Sequence, residues 1–327
     1  MNLKINASIL SAVILSCVLA VGANGQIGIP DARLTVKVVD DDGSPVSGAN
    51  VAFFFCKEFD GNAVAKFEQV TGFDGLATGE GATEGRFTIN VSKPGYYISG
   101  APMPEFRDTV GGRWQPWGAT VSTVLRKVGD PVPMYVRKFG SEIPEVGTQC
   151  GFDMLEGDWV APYGQGKVSD FTVTLSRRYG GWRDFEVQAE IVFPDKYDGI
   201  QAVDLPKEFS YSAFRWPRLA PTVGYQPSFV AINAWYPKDS GKTAVRSDNG
   251  AQNYYFRIRT VVQDGQIISA LYGKIHGGIA VEPRGAKLCV IGFNYYLNPV
   301  SLDRNMESDP ARNLAPKVRS FDQPLEP

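Results

Sequence analysis

Residues 38–55 read VVDDDGSPVSGANVAFFF and place a cluster of turn residues between two hydrophobic segments. Residues 34–38 alternate apolar and polar side chains, and residues 51–55 restart that alternation, which is the period of a strand with one buried face. Pro45 and Gly48 are disfavoured inside a central strand, so the segment between the two strands is predicted to be a kinked sheet edge. The chain therefore opens with a pair of β-strands.

The same alternation of strands and turns continues toward residue 100. Residues 71–75, TGFDG, form a second predicted turn, and residues 86–91, RFTINV, alternate again with their apolar side chains inward. Residues 92–96, SKPGY, close this segment with proline and glycine. Short strands separated by turns, without helical periodicity, predict a β-sandwich.

Three pieces of this region resemble the carboxypeptidase regulatory-like domain, which has a transthyretin-like fold: VVDDDGSPVSGANV, TGFDGLATGEGATEGRFTIN and VSKPGYY. The resemblance covers about residues 31–100 and implies an Ig-like or transthyretin-like module without catalytic residues. The stretch 75–86, GLATGEGATEGR, departs from the family pattern and is expected to be a glycine-rich loop. Related pilin domains contain a Lys–Asn isopeptide bond formed by a lysine that points into the core. Lys37 alternates with the buried positions of its strand and should face solvent, so we do not expect this bond here.

The pattern stays β from residue 139 onward. Residues 185–193, FEVQAEIVF, alternate most regularly, and residues 171–175 alternate in the same way. The Asp-Gly pair at 264–265 is typical of a tight hairpin turn, and it joins residues 253–263 to residues 266–276. Residues 287–296 add a third strand to this meander.

Charges on these strands suggest a register. Glu186 and Glu190 share the outward parity of one strand, and Arg257 and Arg259 share that of another. We predict that the two pairs face each other across neighbouring strands, where opposite charges stabilise a sheet.

These patterns divide an all-β chain into four parts: a signal peptide (1–25), a carboxypeptidase regulatory-like β-sandwich with a Gly/Pro/Trp linker (26–138), an antiparallel β domain (139–297) and an extended tail (298–327). The antiparallel domain resembles no characterised family. The tail has five prolines and no apolar periodicity, and we expect Leu302 and Leu314 to anchor it.

The N-terminus predicts export. Lys4 precedes the apolar residues 8–23, and small residues at 21–25 fit a signal-peptidase site. We expect a secreted or cell-envelope protein, with lipoprotein anchoring at Cys17 as the alternative. No later stretch is long and apolar enough for a transmembrane helix. A net charge of −2 without a basic stripe argues against nucleic acid as a partner.

Cleavage of the signal leaves Cys56, Cys150 and Cys289. Their spacing matches no zinc motif. The sequence favours one disulfide or none, and Cys150–Cys289 is the predicted pair if one forms, because both lie in the second half.

Catalytic motifs are scarce. His276 is the only histidine, which excludes histidine-rich zinc sites and restricts any catalytic triad. It lies at a predicted hairpin end, where a structural or solvent-facing role is favoured. A glycosidase needs only two carboxylic acids, and Asp153, Glu156 and Asp158 cluster beside Trp159. A secreted glycan-active hydrolase therefore stays open as an alternative function.

Tryptophans are the candidate binding residues. Trp114 and Trp117 lie in the Gly- and Pro-rich stretch 100–119, and Trp159 follows the acidic cluster. Exposed aromatic rings can stack on the apolar faces of sugars. Trp114 and Trp117 can equally plug the seam between the domains, and the sequence favours that interpretation.

Asp40, Asp41 and Asp42 are the candidate metal ligands. Calcium prefers several oxygens from one loop, but no EF-hand spacing is present, so a solvated turn capped by its own aspartates is favoured. Calcium is the one cofactor that the sequence suggests. Together these features favour a non-catalytic protein that builds structure or binds an extracellular protein or glycan.

Overall fold

The chain is almost entirely β in the computed structural model, which describes residues 28–57, 64–248, 252–316 and 327. The predicted all-β class is confirmed. The predicted signal peptide and Cys17 lie outside the described residues.

Two single-turn 3-10 helices, at Lys207–Phe209 and Lys238–Ser240, interrupt the strands of the described part. None of the helices described is long and apolar enough to span a bilayer.

Two sheets form the N-terminal unit. One has the order β4-β1-β8-β7, with β9 added in parallel along β1, and the other has the order β3-β2-β5-β6. The strands are β1 (Asp31–Val39), β2 (Asn50–Cys56), β3 (Val64–Val70), β4 (Leu76–Ala82), β5 (Phe87–Ser92), β6 (Ser99–Gly100), β7 (Asp108–Val110), β8 (Arg113–Gln115) and β9 (Ala119–Val124).

Alternate residues of β1 and β2 build the core between these sheets, as the alternation predicts. Leu34, Val36 and Val38 are fully buried on one side, and Phe53 and Phe55 are buried on the other.

The prediction of a kinked sheet edge between β1 and β2 is wrong, because β1 pairs with β4 and β9 and β2 pairs with β3 and β5. The connecting segment folds back on the end of β1, where the Val46 N–H donates to the Val38 carbonyl at 2.9 Å.

The glycine-rich stretch 75–86 contains a strand, so the expectation of a loop is wrong. Its strand β4 pairs antiparallel along β1. A Cβ at Gly79 would lie 2.6 Å from the Phe53 ring, and one at Gly81 would lie 2.6 Å from the Phe55 ring. Glycine is required there because the strand passes directly over two phenylalanine rings.

The C-terminal unit also has two sheets, of order β10-β20-β19-β18-β15 and β12-β11-β13-β14-β16-β17. The buried faces of both sheets share one hydrophobic core. The strands are β10 (Tyr135–Glu142), β11 (Gln149–Asp153), β12 (Asp158–Trp159), β13 (Phe171–Gly181), β14 (Asp184–Val192), β15 (Gly199–Val203), β16 (Ser228–Trp235), β17 (Val245–Arg246), β18 (Asn253–Gln263), β19 (Gln266–Arg284) and β20 (Leu288–Asn298).

The predicted meander is present as β18, β19 and β20. Strand β19 continues to Arg284 through a β-bulge after His276, so His276 lies within a strand and not at a hairpin end. Strand β10 runs across the domain boundary expected at residues 138 and 139 and pairs with β20 over its whole length.

The predicted pairing of Glu186 and Glu190 with Arg257 and Arg259 is wrong. Strands β14 and β18 belong to different sheets, because parity identifies the face of a strand but not the sheet that contains it. Arg257 instead donates to the carbonyl oxygen of Tyr197 at 2.7 Å.

Arg259 joins the two sheets of the C-terminal unit through buried carboxylates. Its guanidinium donates to Asp170 Oδ1 at 2.7 Å and to Asp153 Oδ1 at 2.8 Å. The residue has a φ of 55° at a bulge in β18, a conformation that non-glycine residues rarely adopt. Asp198 stabilises this bulge by accepting the N–H groups of Arg259 and Thr260.

The two acids at Arg259 are perturbed in opposite directions. Burial raises the pKa of Asp170 despite its bonds to Arg259. Burial acts on Asp153 as well, but hydrogen bonds from three backbone N–H groups and the charge of Arg259 hold the pKa of that carboxyl below its ordinary value.

Arg126 connects the two units. Its side chain is 3% exposed, and its Nε donates to Asp41 Oδ1 at 2.7 Å. Its Nη1 donates to the carbonyl oxygens of Phe214 at 2.9 Å and Trp216 at 2.6 Å. The guanidinium also lies 3.9 Å from the centre of the Phe209 ring. One aspartate of the acidic turn therefore belongs to an ion pair at the seam between the units.

Residues 298–316 of the tail lie along the same seam. The carboxylate of Glu307 is buried and accepts from the Tyr97 hydroxyl at 2.6 Å, the Gly129 N–H at 2.7 Å and Arg218 Nη1 at 2.7 Å. Burial, together with the hydrogen bond to Glu307, raises the pKa of Tyr97.

The predicted tail anchors Leu302 and Leu314 are wrong, since both side chains are exposed. Met306 is fully buried instead, and its carbonyl oxygen accepts from the buried ammonium of Lys274 at 2.8 Å. Asn313 adds a second attachment, because its side-chain amide bonds both the N–H and the carbonyl of Val136.

Cys56, Cys150 and Cys289 are free thiols. Of the two predicted outcomes, one disulfide or none, the described residues show none, and Cys150 and Cys289 are not paired. Both side chains are buried in the core of the C-terminal unit. Burial raises the pKa of Cys150, and it raises the pKa of Cys289 to about 11.

Replacing Phe53 by Ala should be among the most destabilising changes in the N-terminal unit. Phe53 is fully buried beneath Gly79, and removing such a side chain costs about 3–5 kcal/mol. Phe54, one residue along, is only partly buried, and Phe54→Ala should cost much less. Chemical denaturation of both variants measures the difference, and equal losses would contradict a two-faced strand.

Replacing Asp41 by Asn should weaken the seam by about 1–3 kcal/mol, because the buried guanidinium of Arg126 loses its charged partner. Asp42→Asn is the matched control, since Asp42 is exposed in the same turn. Thermal unfolding of the two variants should separate them, and an unchanged Asp41→Asn protein would show that the ion pair is unimportant for stability.

Candidate functional site

Trp114 does not offer a free ring to a ligand. It packs on the core of the N-terminal unit, its ring stacks on Phe106 at 5.7 Å, and its Nε1 donates to the Thr83 carbonyl at 2.8 Å. The ring therefore plugs the edge of the N-terminal sandwich, and the seam between the units is formed by other residues.

Trp117 and Trp159 differ in exposure. The Arg113 guanidinium lies 4.8 Å from the centre of the partly buried Trp117 ring. Trp159 is 3% exposed and packs against Phe139 and Phe152. The proposal of Trp159 as a stacking platform is therefore wrong, because its ring is part of the core.

The acidic residues near Trp159 are engaged in holding a turn. Asp153 accepts from the N–H groups of Leu155, Glu156, Lys167 and Val168, besides Arg259. The same turn fixes the other two acids: Asp158 accepts from the N–H groups of Trp159 and Gln165, and Glu156 accepts from the Lys167 ammonium. The hydrogen bonds of these three carboxylates stabilise the turn.

The acidic run at the first turn is also engaged. Asp40 Oδ1 accepts from the N–H groups of Asp42 at 3.0 Å and Ser44 at 2.8 Å, as in an aspartate-capped turn. Asp41 bonds Arg126 and also Arg218. Among the described residues, no group of three or more acidic, histidine or cysteine side chains is placed to hold a metal ion.

A different set of aromatic residues lies at one end of the C-terminal unit, where Trp182 and Trp235 are exposed and Phe185 is buried. Strand pairing places Tyr179, Phe185 and Trp235 in one row across β13, β14 and β16. The rings of Tyr179 and Phe185 stack at 6.4 Å. Trp182 occupies the turn just beyond this row, and Tyr236 follows Trp235 in the chain. We call these five residues the aromatic end.

Two tryptophans of the aromatic end reach solvent. Trp182 is 71% exposed and Trp235 is 47% exposed. Large apolar side chains that gather on a surface commonly mark an interaction site, whereas single exposed ones need no explanation. Two exposed tryptophans at the same end of one sheet, and not the exposure of a single ring, make this the candidate site.

Polar and charged groups surround these rings. The Arg183 guanidinium lies 4.0 Å from the Trp182 ring centre, and the Lys242 ammonium lies 4.9 Å from that of Tyr236. The Tyr236 hydroxyl donates to Glu186 Oε2 at 2.8 Å, and this bond raises the pKa of Tyr236. Apolar ring faces and hydrogen-bonding groups therefore occur side by side.

The aromatic end has a weak sequence signal. Trp182 follows Gly180-Gly181 between two alternating segments, and the strand register shifts between Tyr179 and Gly181. A tryptophan in a two-residue hairpin turn has no core to enter, which would have pointed to Trp182. Trp235 carries no such signal, because it continues the alternation of β16 and is exposed only by its position at the sheet end.

No family model and no curated protein matches the chain. Among solved structures, the dioxygenase domain of a dioxygenase carbohydrate-binding protein fusion from Streptomyces sp. SirexAA-E is similar over 31% of this chain and 82% of its own, at 15% identity and TM-score 0.22. The shaft pilin SpaA from Lactobacillus rhamnosus GG is similar over 74% of this chain and 92% of its own, at 12% identity and TM-score 0.20.

A predicted carbohydrate-binding protein from Bacteroides uniformis is similar over 84% of this chain and 99% of its own, at 10% identity and TM-score 0.19. TM-scores this low carry no argument about the fold or ligands of this chain. The resemblance of residues 31–100 to the carboxypeptidase regulatory-like domain stays a prediction.

Proposed function

We propose that the protein is a secreted or cell-envelope β-protein that binds glycan at the aromatic end without catalysing a reaction. The observation that carries the proposal is the exposure of Trp182 and Trp235 at one end of a sandwich. A ring face pairs with the apolar face of a sugar, and the groups around the ring bond its hydroxyls. Export rests on the predicted signal peptide.

The composition around the rings favours a glycan over a protein partner. The centres of protein interfaces are depleted of lysine and glutamate, whereas Lys242 and Glu186 both contact Tyr236. Alternating apolar faces and polar groups match a sugar, which has both on each ring.

The hydrolase alternative gains no support from the acids that suggested it. A glycosidase needs one carboxylic acid to move a proton and another to act as base or nucleophile. Asp153 is buried and accepts five hydrogen bonds, and the carboxylate of Asp158 holds two backbone N–H groups. Asp153 is too buried to reach a substrate, and the hydrogen bonds of Asp158 hold a local turn.

Trp182→Ala should weaken binding to a soluble polysaccharide by about tenfold, roughly 1.4 kcal/mol, because one stacking surface is lost. The measurement is affinity electrophoresis of the full chain in gels containing xylan, β-glucan, mannan or pectin. The variant should stay folded, because the side chain is mostly exposed.

Trp117→Ala is the matched control for the same chemical change in the N-terminal unit. The Trp117→Ala variant should migrate in every gel at the same rate as the unmodified protein. Retardation that depends on Trp117 and not on Trp182 would place glycan binding on the linker and contradict the aromatic end as the site.

A further inference from the structure

Arg183 lies beside the most exposed ring of the aromatic end. Its guanidinium carbon is 4.0 Å from the centre of the Trp182 ring, which places the cation over one face of the indole. A contact of this kind holds an arginine side chain without using any of its five N–H donors. Because Trp182 is still 71% exposed, the ring stays open to a ligand. A stacking surface and a guanidinium therefore occur together at the tip of one hairpin.

The charge of Arg183 has no carboxylate partner within the part of the chain that the structure describes. The adjacent acid, Asp184, bonds Arg178 at 2.5 Å. The next acid along β14, Glu186, accepts from the Tyr236 hydroxyl at 2.8 Å. Both carboxylates of this strand end are engaged with other groups, so the positive charge of Arg183 is available to a ligand.

The balance of charges at the aromatic end favours an anion. Residues 178–186 and 235–242 carry four lysine and arginine side chains against three aspartate and glutamate side chains. Lys238 and Asp239 are adjacent and exposed in one 3-10 helix, so their charges largely cancel. Lys242 is a second exposed cation without a carboxylate partner among the described residues. Because the whole chain has a net charge of −2, this positive surplus is a local feature.

A uronate, the acid form of a sugar, matches the two surfaces that Trp182 and Arg183 present. Its ring has an apolar face that stacks on an indole. Its carboxylate is planar and matches the guanidinium fork with two parallel hydrogen bonds. In a polymer, one sugar can lie on Trp182 while the carboxylate of a neighbouring sugar reaches Arg183. Building on the glycan binding proposed above, we propose that the glycan of the aromatic end is a polyuronate and that Arg183 binds its carboxylates.

The probe is polygalacturonate, compared in affinity electrophoresis of the full chain with the same polymer after methyl esterification. The ester keeps the sugar rings and removes the charge of each carboxylate, so the two gels isolate the ionic contact. Polygalacturonate should bind at least about threefold more tightly, as expected for a charge-assisted contact at an exposed site. Raising the salt concentration from about 50 mM to about 500 mM should remove most of this preference, because exposed charges are screened.

Variants of Arg183 locate the contact. Arg183→Gln should weaken binding to polygalacturonate by about threefold and leave binding to the ester unchanged. Arg183→Lys should keep only part of the preference, because an ammonium has the charge but not the planar fork. Both variants should keep the unmodified melting temperature, since Arg183 is exposed and its printed contact is with an exposed ring.

Arg113→Gln is the matched control. Arg113 is also exposed and lies 4.8 Å from the centre of a tryptophan ring, that of Trp117 in the N-terminal unit. The Arg113→Gln variant should bind both polymers as the unmodified protein does. A loss in Arg113→Gln without a loss in Arg183→Gln would place carboxylate binding in the N-terminal unit and overturn the assignment.

The failure of this proposal and the failure of glycan binding give different results. If Trp182→Ala weakens binding to the ester but polygalacturonate binds no more tightly than the ester, the aromatic end binds glycan without recognising a carboxylate, and only the polyuronate assignment is wrong. If no polysaccharide is bound, glycan binding is wrong as well. An equal loss of dextran sulfate binding in Arg183→Gln would show a general anion contact and contradict a polyuronate site.

Discussion

The buried guanidinium of Arg126 is the contact on which the arrangement of the two units depends. Burying an unmatched cation costs of the order of several kcal/mol, and here the partners come from both units. Asp41 supplies the charge, and the carbonyls of Phe214 and Trp216 accept the remaining bonds. Phe214 and Trp216 bury their rings on either side of Arg215. The side chain of Arg215 therefore points the other way and lines a surface cleft together with His276. A charge in the first unit thus positions a charge in the second.

Glu307 completes this seam with the opposite sign. Its buried carboxylate accepts hydrogen bonds from Tyr97, Gly129 and Arg218. Arg218 also donates to Asp41 at 3.2 Å. Hydrogen-bonded charges of this kind are stable only when every member is satisfied. The described residues 298–316 of the tail are therefore a structural part of the seam, although their proline-containing sequence is typical of a free arm.

Alternation predicted the strands whose two faces meet different surroundings, such as residues 34–38 and 185–193. It missed β4, because glycines carry no alternation, and their role appears only once the rings of Phe53 and Phe55 are placed above them. It also missed Arg259, whose carboxylate partners lie 106 and 89 residues away in the sequence. Local sequence patterns indicate which side chains are buried, but they do not indicate which residues from distant parts of the chain contact them.

Two strands of the C-terminal unit lose their register beside a Gly-Gly pair. In a regular strand, parity assigns each side chain to core or solvent, which leaves few positions for a ring that is held in place yet exposed. The shift beside Gly181 precedes Trp182, and the shift after His276 includes Gly277. In each case a Gly-Gly pair adjoins the side chain, because glycine readily adopts the backbone conformations that depart from the pleat. In a chain of alternating strands, a Gly-Gly pair thus marks a position where the next ring is freed from the alternation between core and solvent.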